Sequence, residues 1–375
     1  MKAVPKHRLI FETLQKNIES GLYSPNSQLP TEQELADEFE TSRPTVVKAL
    51  DRLKDLGYVY RIQGKGTFVS ELSGSKSLSG LSPKIVSVVL PFAEYRNVAR
   101  LDETNILKGI QTRLAQCGYY TMIHYCNDNG VDFVNAINSI KTTASAGIIA
   151  YVSKDLMSCG DIYSLISDDK PFVLIDQPII GLDLPCIHAN NEQGGYHATE
   201  HLVDCGYDVV YFITDINLNF NESIRQRYIG FCKAVQDNKS DTKFNHLFIT
   251  QGSEDPDVLQ SSIKQIIEKH QGKTIGLFCT NDYFAQRIFN SCAALNIDVP
   301  KQVGIVGFDG LGISLSNGKE LTTVAQDFYK IGKRASDVML QRLSNLPPSD
   351  IDVVVDVKLV VGTTTCDFKQ TAQGE

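Results

Sequence analysis

The hydrophobic pattern changes character twice along the chain. At first, apolar residues recur at three- and four-residue intervals, the period of a helix with one buried face. Leu9, Ile10, Leu14 and Ile18 predict a helix that runs from Pro5 and stops at Gly21. Thr31 and Glu34 have the spacing of a capping box and open a second helix over residues 31–39. Ser42 caps a third, with Pro44 tolerated in its first turn. Its buried face is Val46, Val47, Leu50, Leu53 and Leu56, and Gly57 ends it. Residues 58–62 and 67–69, joined by Gln63-Gly64-Lys65-Gly66, predict a β-hairpin with glycines where positive φ is needed. Two helices on a short turn followed by a hairpin describe a winged helix-turn-helix, whose second helix enters the DNA major groove.

Residues 71–84, ELSGSKSLSGLSPK, are rich in Ser and Gly and read as a flexible linker. Beyond them the pattern becomes short, continuously apolar runs alternating with helical stretches. The runs are 85–90, 119–125, 147–152, 172–176, 209–213, 274–279 and 303–308. Such runs imply parallel strands covered by helices on both faces. So long a body exceeds one comfortable doubly wound domain, so two βαβ lobes with a cleft between them are expected.

Composition narrows the class. The 375 residues are 42% hydrophobic and 21% charged, as in ordinary globular protein. No apolar run approaches the ~20 residues of a membrane helix, and residues 1–16 lack the apolar stretch of a secretory signal. Nine cysteines, the first at Cys117, include no CxxC pair, which fits reduced thiols in a cytoplasm. The net charge of −8 argues against a polyanion partner for the whole chain, but it is unevenly spread. Residues 1–70 hold 10 Lys/Arg and 9 Asp/Glu, against 26 and 35 beyond them. Nucleic-acid binding, if present, belongs to the N-terminal piece.

Specific wording supports this. LPTEQELADEFETSRPTVVKALDRLKDLGYVYRIQGKGTFVS resembles the DNA-binding domain of the GntR family, over about residues 5–70 without a gap. The stretches from 176 to 213, 222 to 235, 276 to 310 and 321 to 340 resemble the effector domain of LacI/GalR regulators, a fold shared with periplasmic sugar-binding proteins. The combination is similar to the arabinose-repressor type of regulator. It implies an α/β chain: a winged helix-turn-helix at 1–70, a linker at 71–84, a two-lobed periplasmic-binding-protein-like domain of doubly wound parallel sheets at 85–364, and a tail at 365–375. The implied function is a transcriptional regulator, a repressor of carbohydrate-utilisation genes. Its expected partners are double-stranded operator DNA, a monosaccharide or derivative, and a second copy of the chain. No cofactor or metal is expected.

Arg43 stands at the start of the recognition helix with Ser42, Pro44 and Thr45. Its guanidinium can take O6 and N7 of a guanine together, or clamp a phosphate; a solvated arginine at a helix start is the plainer alternative. Gln33 matches a contact position that the family usually fills with Arg. Gln63, Gly64 and Lys65 form the wing tip, where Gly64 lets backbone approach DNA and Lys65 can reach a phosphate. Val47 departs from the family, which commonly has a DNA-contacting Arg there, and Lys48 points about 100° away around the helix.

For the effector, the resemblance points to Arg227, Asn281 and Asp309, with Asp176 and Phe92 behind them. Asn281, Asp309 and Asp176 follow apolar strands, where open α/β sheets bind ligands. Arg, Asn and Asp together supply donors and acceptors for sugar hydroxyls, although Asn281 equally suits a helix cap and Asp309 a turn. The chain has no Trp, so ring stacking would fall to Phe92, Tyr283 or Phe308. The rival reading is a sugar-acting or NAD-linked enzyme on the α/β body. It calls for a nucleotide fingerprint or a poised acid–base pair, and the sequence presents neither. His197-x-x-Glu200-His201 has zinc-hydrolase spacing but falls on a structural helix of the resembled fold. Ser73-x-x-Lys76 lies in the linker, where nothing would hold it for catalysis.

Overall fold

The computed structural model describes residues 6–55, 58–62, 65–70, 84–92, 101–127, 129–141, 143–152, 170–179, 181–218, 221–249, 251–344, 346, 351–366 and 368. The chain divides into two compact units, Met1–Pro83 and Lys84–Glu375. Residues 71–83 of the expected linker lie outside the described residues.

The first unit follows the sequence pattern closely. Its helices are α1 (Lys6–Glu19), α2 (Glu32–Glu38) and α3 (Arg43–Asp55). Thr31 caps α2 with both halves of the capping box formed: its side chain accepts from Glu34 N, and Glu34 accepts from Thr31 N at 2.7 Å. Ile10, Leu14, Leu35, Val46, Leu50 and Leu53 meet in one buried core. Strands β1 (Val59–Ile62) and β2 (Gly66–Val69) pair antiparallel, with Val59 opposite Val69, and these two valines seal the hairpin onto that core.

The second unit holds two six-stranded sheets. The first, in the order β13-β7-β6-β5-β3-β4, is parallel throughout. Its strands are β3 (Ile85–Phe92), β4 (Tyr120–Asn127), β5 (Gly147–Tyr151), β6 (Phe172–Ile175), β7 (Cys186–Ala189) and β13 (Asp352–Val355). Helices α4 (Leu101–Gln116) and α10 (Phe328–Leu343) cover one face, and α5 (Gly130–Lys141) covers the other. The second sheet, β14-β12-β11-β10-β8-β9, is parallel except for the β12–β14 pair. It comprises β8 (Val209–Thr214), β9 (Lys243–Phe248), β10 (Ile275–Cys279), β11 (Val303–Asp309), β12 (Thr322–Gln326) and β14 (Val357–Val360). Helices α6 (Asn191–Cys205) and α7 (Glu222–Asp237) cover one face, and α8 (Pro256–Lys269) and α9 (Asp282–Ala294) the other. The chain crosses between lobes three times, after β7, after β12 and after β13.

All seven sequence-predicted runs became strands, but β7, β9, β12, β13 and β14 were not anticipated. β7, β13 and β14 are four residues each, β13 and β14 alternate exposure, and no residue of the edge strand β9 is buried. Thr365, Cys366 and Phe368, which the sequence placed in a tail, pack on the second lobe. Thr365 Oγ1 lies 2.9 Å from Thr322 Oγ1, and the Phe368 ring stands edge-on to Tyr207.

Helices α6 and α7 touch through glycines. A Cβ on Gly195 would strike the Arg227 carbonyl, and one on Gly230 would strike that of Glu192. Helix propensity alone favours Ala over Gly by up to about 1 kcal/mol. Here the obstacle is backbone, which cannot rotate away, so overpacking wins. Gly195→Ala is expected to lower stability by about 1–3 kcal/mol, measured as a lower urea midpoint. A raised midpoint would contradict the close helix contact.

Candidate functional site

The exposed end of the first unit is the first turn of α3. Val46, Ala49, Leu50 and Leu53 are buried, which turns Ser42, Arg43 and Pro44 outward. Ser42 and Thr45 share a hydroxyl–hydroxyl bond of 2.9 Å that closes the turn. Arg43 Nε donates to Glu32 Oε2 on α2 at 2.9 Å. The other Glu32 oxygen lies 3.6 Å from Arg61 on β1, and Arg61 reaches Asp51 of α3 at 2.9 Å. This is a chain of four alternating charges, Arg43–Glu32–Arg61–Asp51. Exposed pairs of this kind are each worth only ~0–1 kcal/mol, so the Arg43 guanidinium can be drawn off by a phosphate or base edge. Gln33 donates to Asp37 at 3.0 Å on the surface of α2. Lys65 is exposed at the hairpin, its carbonyl accepting from Gln28 Nε2 at 2.8 Å. Gly66 beside it has φ +119°, a conformation that requires glycine. Gln63 and Gly64 lie outside the described residues.

The second unit gathers polar groups where its strands end. Arg227, in the second turn of α7, is 4% exposed. Its Nε donates to Asn191 Oδ1 at 2.9 Å, its Nη1 to the Thr280 carbonyl, and its Nη2 to Asp309 Oδ1 at 3.3 Å. The guanidinium lies 3.7 Å from the centre of the Phe308 ring. Asp309, at φ +120°, also accepts from Gln326 Nε2 at 2.8 Å. Asn281 caps α9 by accepting from Phe284 N at 2.8 Å. Asp176, at φ +79°, closes β6 and meets the other lobe: Ser223 Oγ donates to its carbonyl at 2.9 Å. Strained backbone at two carboxylates that face one space is typical of a ligand site. Arg227, Asn281, Asp309 and Asp176 all line one cleft of about 140 Å³, together with Tyr151, Tyr283 and Gln326. That is below the ~300–1,000 Å³ of drug-sized pockets and suits a ligand of monosaccharide size.

Behind the cleft, Asp282 is 1% exposed and ties α9 to the loop after β11. Its carboxyl accepts from Thr323 Oγ1 at 2.6 Å and Leu311 N at 2.8 Å. Burial pushes it up to about 6, against the pull of those hydrogen bonds.

Residues 7–69 match the family described as bacterial regulatory proteins, gntR family, and residues 199–365 match the periplasmic binding protein-like domain. The chain thus carries a gntR-type DNA-binding domain followed by a periplasmic-binding-protein-like domain. The arabinose metabolism transcriptional repressor of Halalkalibacterium halodurans is 24% identical to it over 377 residues, 97% of each chain. A LacI family transcriptional regulator from Enterococcus faecium, solved with bound ribose, matches 76% of this chain and 100% of its own, with a TM-score of 0.61 and 17% identity. The lac repressor dimer bound to operator matches 78% of this chain and 97% of its own, with a TM-score of 0.62 and 19% identity.

In the GntR unit, the structure gathers Ser42, Arg43, Pro44 and Thr45 on one turn, with Gln33 on α2 and Lys65 on the hairpin. In the body, four of the five effector candidates share the cleft. Phe92 ends β3 next to the lining residue Pro91, and its side chain lies outside the described residues. Phe308 cannot stack on a ligand, because it is fully buried beneath Arg227. Asn191 and Gln326 were missed; Asn191 stands just beyond β7 and Gln326 ends β12, strands that the sequence did not reveal. The His-x-x-Glu-His string does not converge: His197 lies 3.6 Å from Glu200, while His201 is bonded to Thr365 at 2.9 Å. Among the described residues, no group of three His, Cys, Asp or Glu could hold a metal, and no helix is long and apolar enough to cross a membrane.

The raised Asp282 pKa has a consequence for stability. Between its ordinary value of 3.8 and about 6, the folded chain keeps a proton that the unfolded chain has released. This group's contribution is therefore greatest below about pH 4 and declines as pH rises to about 6. Urea midpoints across that window should fall for the wild type relative to Asp282→Asn. A constant difference between the two proteins would contradict it.

Proposed function

We propose that this regulator is a cytoplasmic, dimeric, non-enzymatic repressor of carbohydrate-utilisation genes, whose operator binding is modulated by a sugar held between the lobes. The observation that carries this reading is the convergence of Arg227, Asn281, Asp309 and Asp176 on one cleft of about 140 Å³. Together these residues offer hydroxyl groups both donors and acceptors. The names of the relatives agree: one is a repressor of arabinose metabolism, and another holds ribose.

In the GntR domain, Arg43 reads a base or clamps a phosphate, and Ser42, Pro44 and Thr45 set its turn against the DNA backbone. Gln33, Gln63, Gly64 and Lys65 contribute further contacts from α2 and the wing. In the cleft, Asp176 comes from the first lobe, and Arg227, Asn281 and Asp309 come from the second. A ligand bonded to both favours one angle between the lobes over others. Three chain crossovers and the Asp176–Ser223 bond tie the lobes together, so a ligand adds its bonds to contacts that already span them.

Paired substitutions test this. Arg43→Ala should weaken binding to a duplex selected by the wild-type chain by about 1–3 kcal/mol while leaving the thermal shift given by L-arabinose or another bound sugar intact. Arg227→Ala should do the reverse. Lys65→Ala should weaken all sequences alike and lower the salt slope by about one. If Arg43→Ala abolished the sugar response, or Arg227→Ala left it intact, the assignment of the two sites would fail.

A further inference from the structure

The same cleft contains a second charged cluster that neither the sequence reading nor the comparisons assign. Asp215 follows β8 and is 11% exposed. One of its oxygens, Oδ2, bonds Arg287 Nη2 from α9. The other, Oδ1, is buried with no hydrogen-bond partner among the described residues. Arg287 is held from three sides. Its Nη1 donates to the Ser253 carbonyl at 2.9 Å and lies 3.1 Å from Glu254 Oε1, and its guanidinium sits 5.2 Å from the centre of the Phe284 ring. Asp215, Glu254 and Arg287 all line the space that Arg227 lines.

Charge and hydrogen-bond accounting then limit what can enter. Among the described residues, the charged groups lining the cleft are Asp176, Asp215, Glu254 and Asp309 against Arg227 and Arg287, a balance of −2. Arg227 uses three of its five N–H donors on Asn191, Thr280 and Asp309, one from each nitrogen. Arg287 spends both terminal nitrogens on Asp215, Ser253 and Glu254. A phosphate or carboxylate entering here would meet a net negative wall and two guanidinium groups already held by carboxylates. A hydroxyl is different, because it brings no charge to this wall and can donate to its carboxylates; Asp215 Oδ1, buried and unpartnered, is an acceptor that is costly to leave unfilled and that a ligand reaches once the side chain turns toward the cleft.

We propose that Asp215, oriented by Arg287, is a specificity-determining acceptor in the cleft, and that the effector is a sugar bearing no phosphate or carboxylate. This rests on the sugar-binding reading above and narrows it. The free sugar, not its phosphorylated or oxidised product, is the species sensed. The ligand therefore precedes any kinase or dehydrogenase step that would give it a charge.

The test uses the full-length chain and matched pairs: L-arabinose with L-arabinonate, D-ribose with D-ribose 5-phosphate, D-glucose with D-glucose 6-phosphate, and D-galactose with D-galacturonate. Calorimetry should find at least one neutral sugar that binds, with its acidic partner at least about a hundredfold weaker, and added salt should narrow that ratio. Asp215→Asn should weaken the neutral sugar about tenfold and also narrow the ratio. A purely structural role for Asp215 would weaken both partners alike and leave the ratio unmoved. Glu254 is 84% exposed, so Glu254→Gln should fold even if Asp215→Asn does not; it should narrow the ratio with little effect on the neutral sugar. An acidic partner binding as tightly as its neutral sugar would overturn the proposal and leave the cleft a sugar site. An unchanged ratio in the folded variants would overturn it too. If no sugar of either kind bound, the sugar reading would fail and this proposal with it.

Discussion

A guanidinium buried to 4% exposure has to be compensated on every side, and Arg227 organises the body of this protein around that need. An arginine left unpaired at such depth costs about 3–5 kcal/mol. Asn191 from α6, the Thr280 carbonyl after β10 and Asp309 at the end of β11 supply the hydrogen bonds, and Phe308 supplies the surface on which the plane rests. Four separate segments must therefore arrive at one point. The glycine contact between α6 and α7 lets this happen, because Gly195 packs directly on the backbone of Arg227. The positive φ of Asp309 belongs to the same solution: the strain is held in place by the bonds to Arg227 and Gln326.

Charge is used differently in the two units. On α3 it lies at the surface, and the Arg43–Glu32–Arg61–Asp51 chain holds a guanidinium ready without holding it tightly. A DNA phosphate docking on α3 would compete there only against weak, solvated pairs. In the body the pairs are shielded from water, and exchange of partners is costly. This fits a rigid frame that recognises a small uncharged ligand by the positions of its hydroxyls. The two behaviours suit the two proposed roles: rapid, salt-sensitive binding to a polyanion in one unit, and selective binding in the other.

Much of this was legible in the sequence, for identifiable reasons. The winged helix was read almost residue by residue because Thr31, Glu34, Ser42 and Pro44 carry local signals and the apolar spacing is regular. The seven continuously apolar strands were equally clear. β7 and β13 were not, because four residues give no period, and β9 was hidden because it is an edge strand with no buried residue and no continuous apolar run. The cost was specific. Asn191 and Gln326 stand just beyond or at the end of unrecognised strands, so the strand-end rule that singled out Asn281 and Asp309 had no strand to act on. Phe308 was misjudged as a stacking surface because a strand's two faces cannot be told apart in a continuous apolar run; its ring faces Gly194 on α6. The Asp215–Arg287 pair joins positions 72 apart, and nothing local marks either partner.

The central claim is that the cleft and the DNA-binding face belong to one thermodynamic system. Linkage makes this directly measurable, since any factor by which a sugar changes operator affinity must be the factor by which operator changes sugar affinity. Calorimetric titration of the full-length chain with its bound sugar, alone and then with a saturating selected duplex, measures that factor. The account predicts two different sugar affinities, with a ratio equal to the shift in duplex affinity measured with and without saturating sugar. Equal sugar affinities in the two titrations would contradict it, because both sites would then exist without the coupling that makes the chain a ligand-responsive regulator.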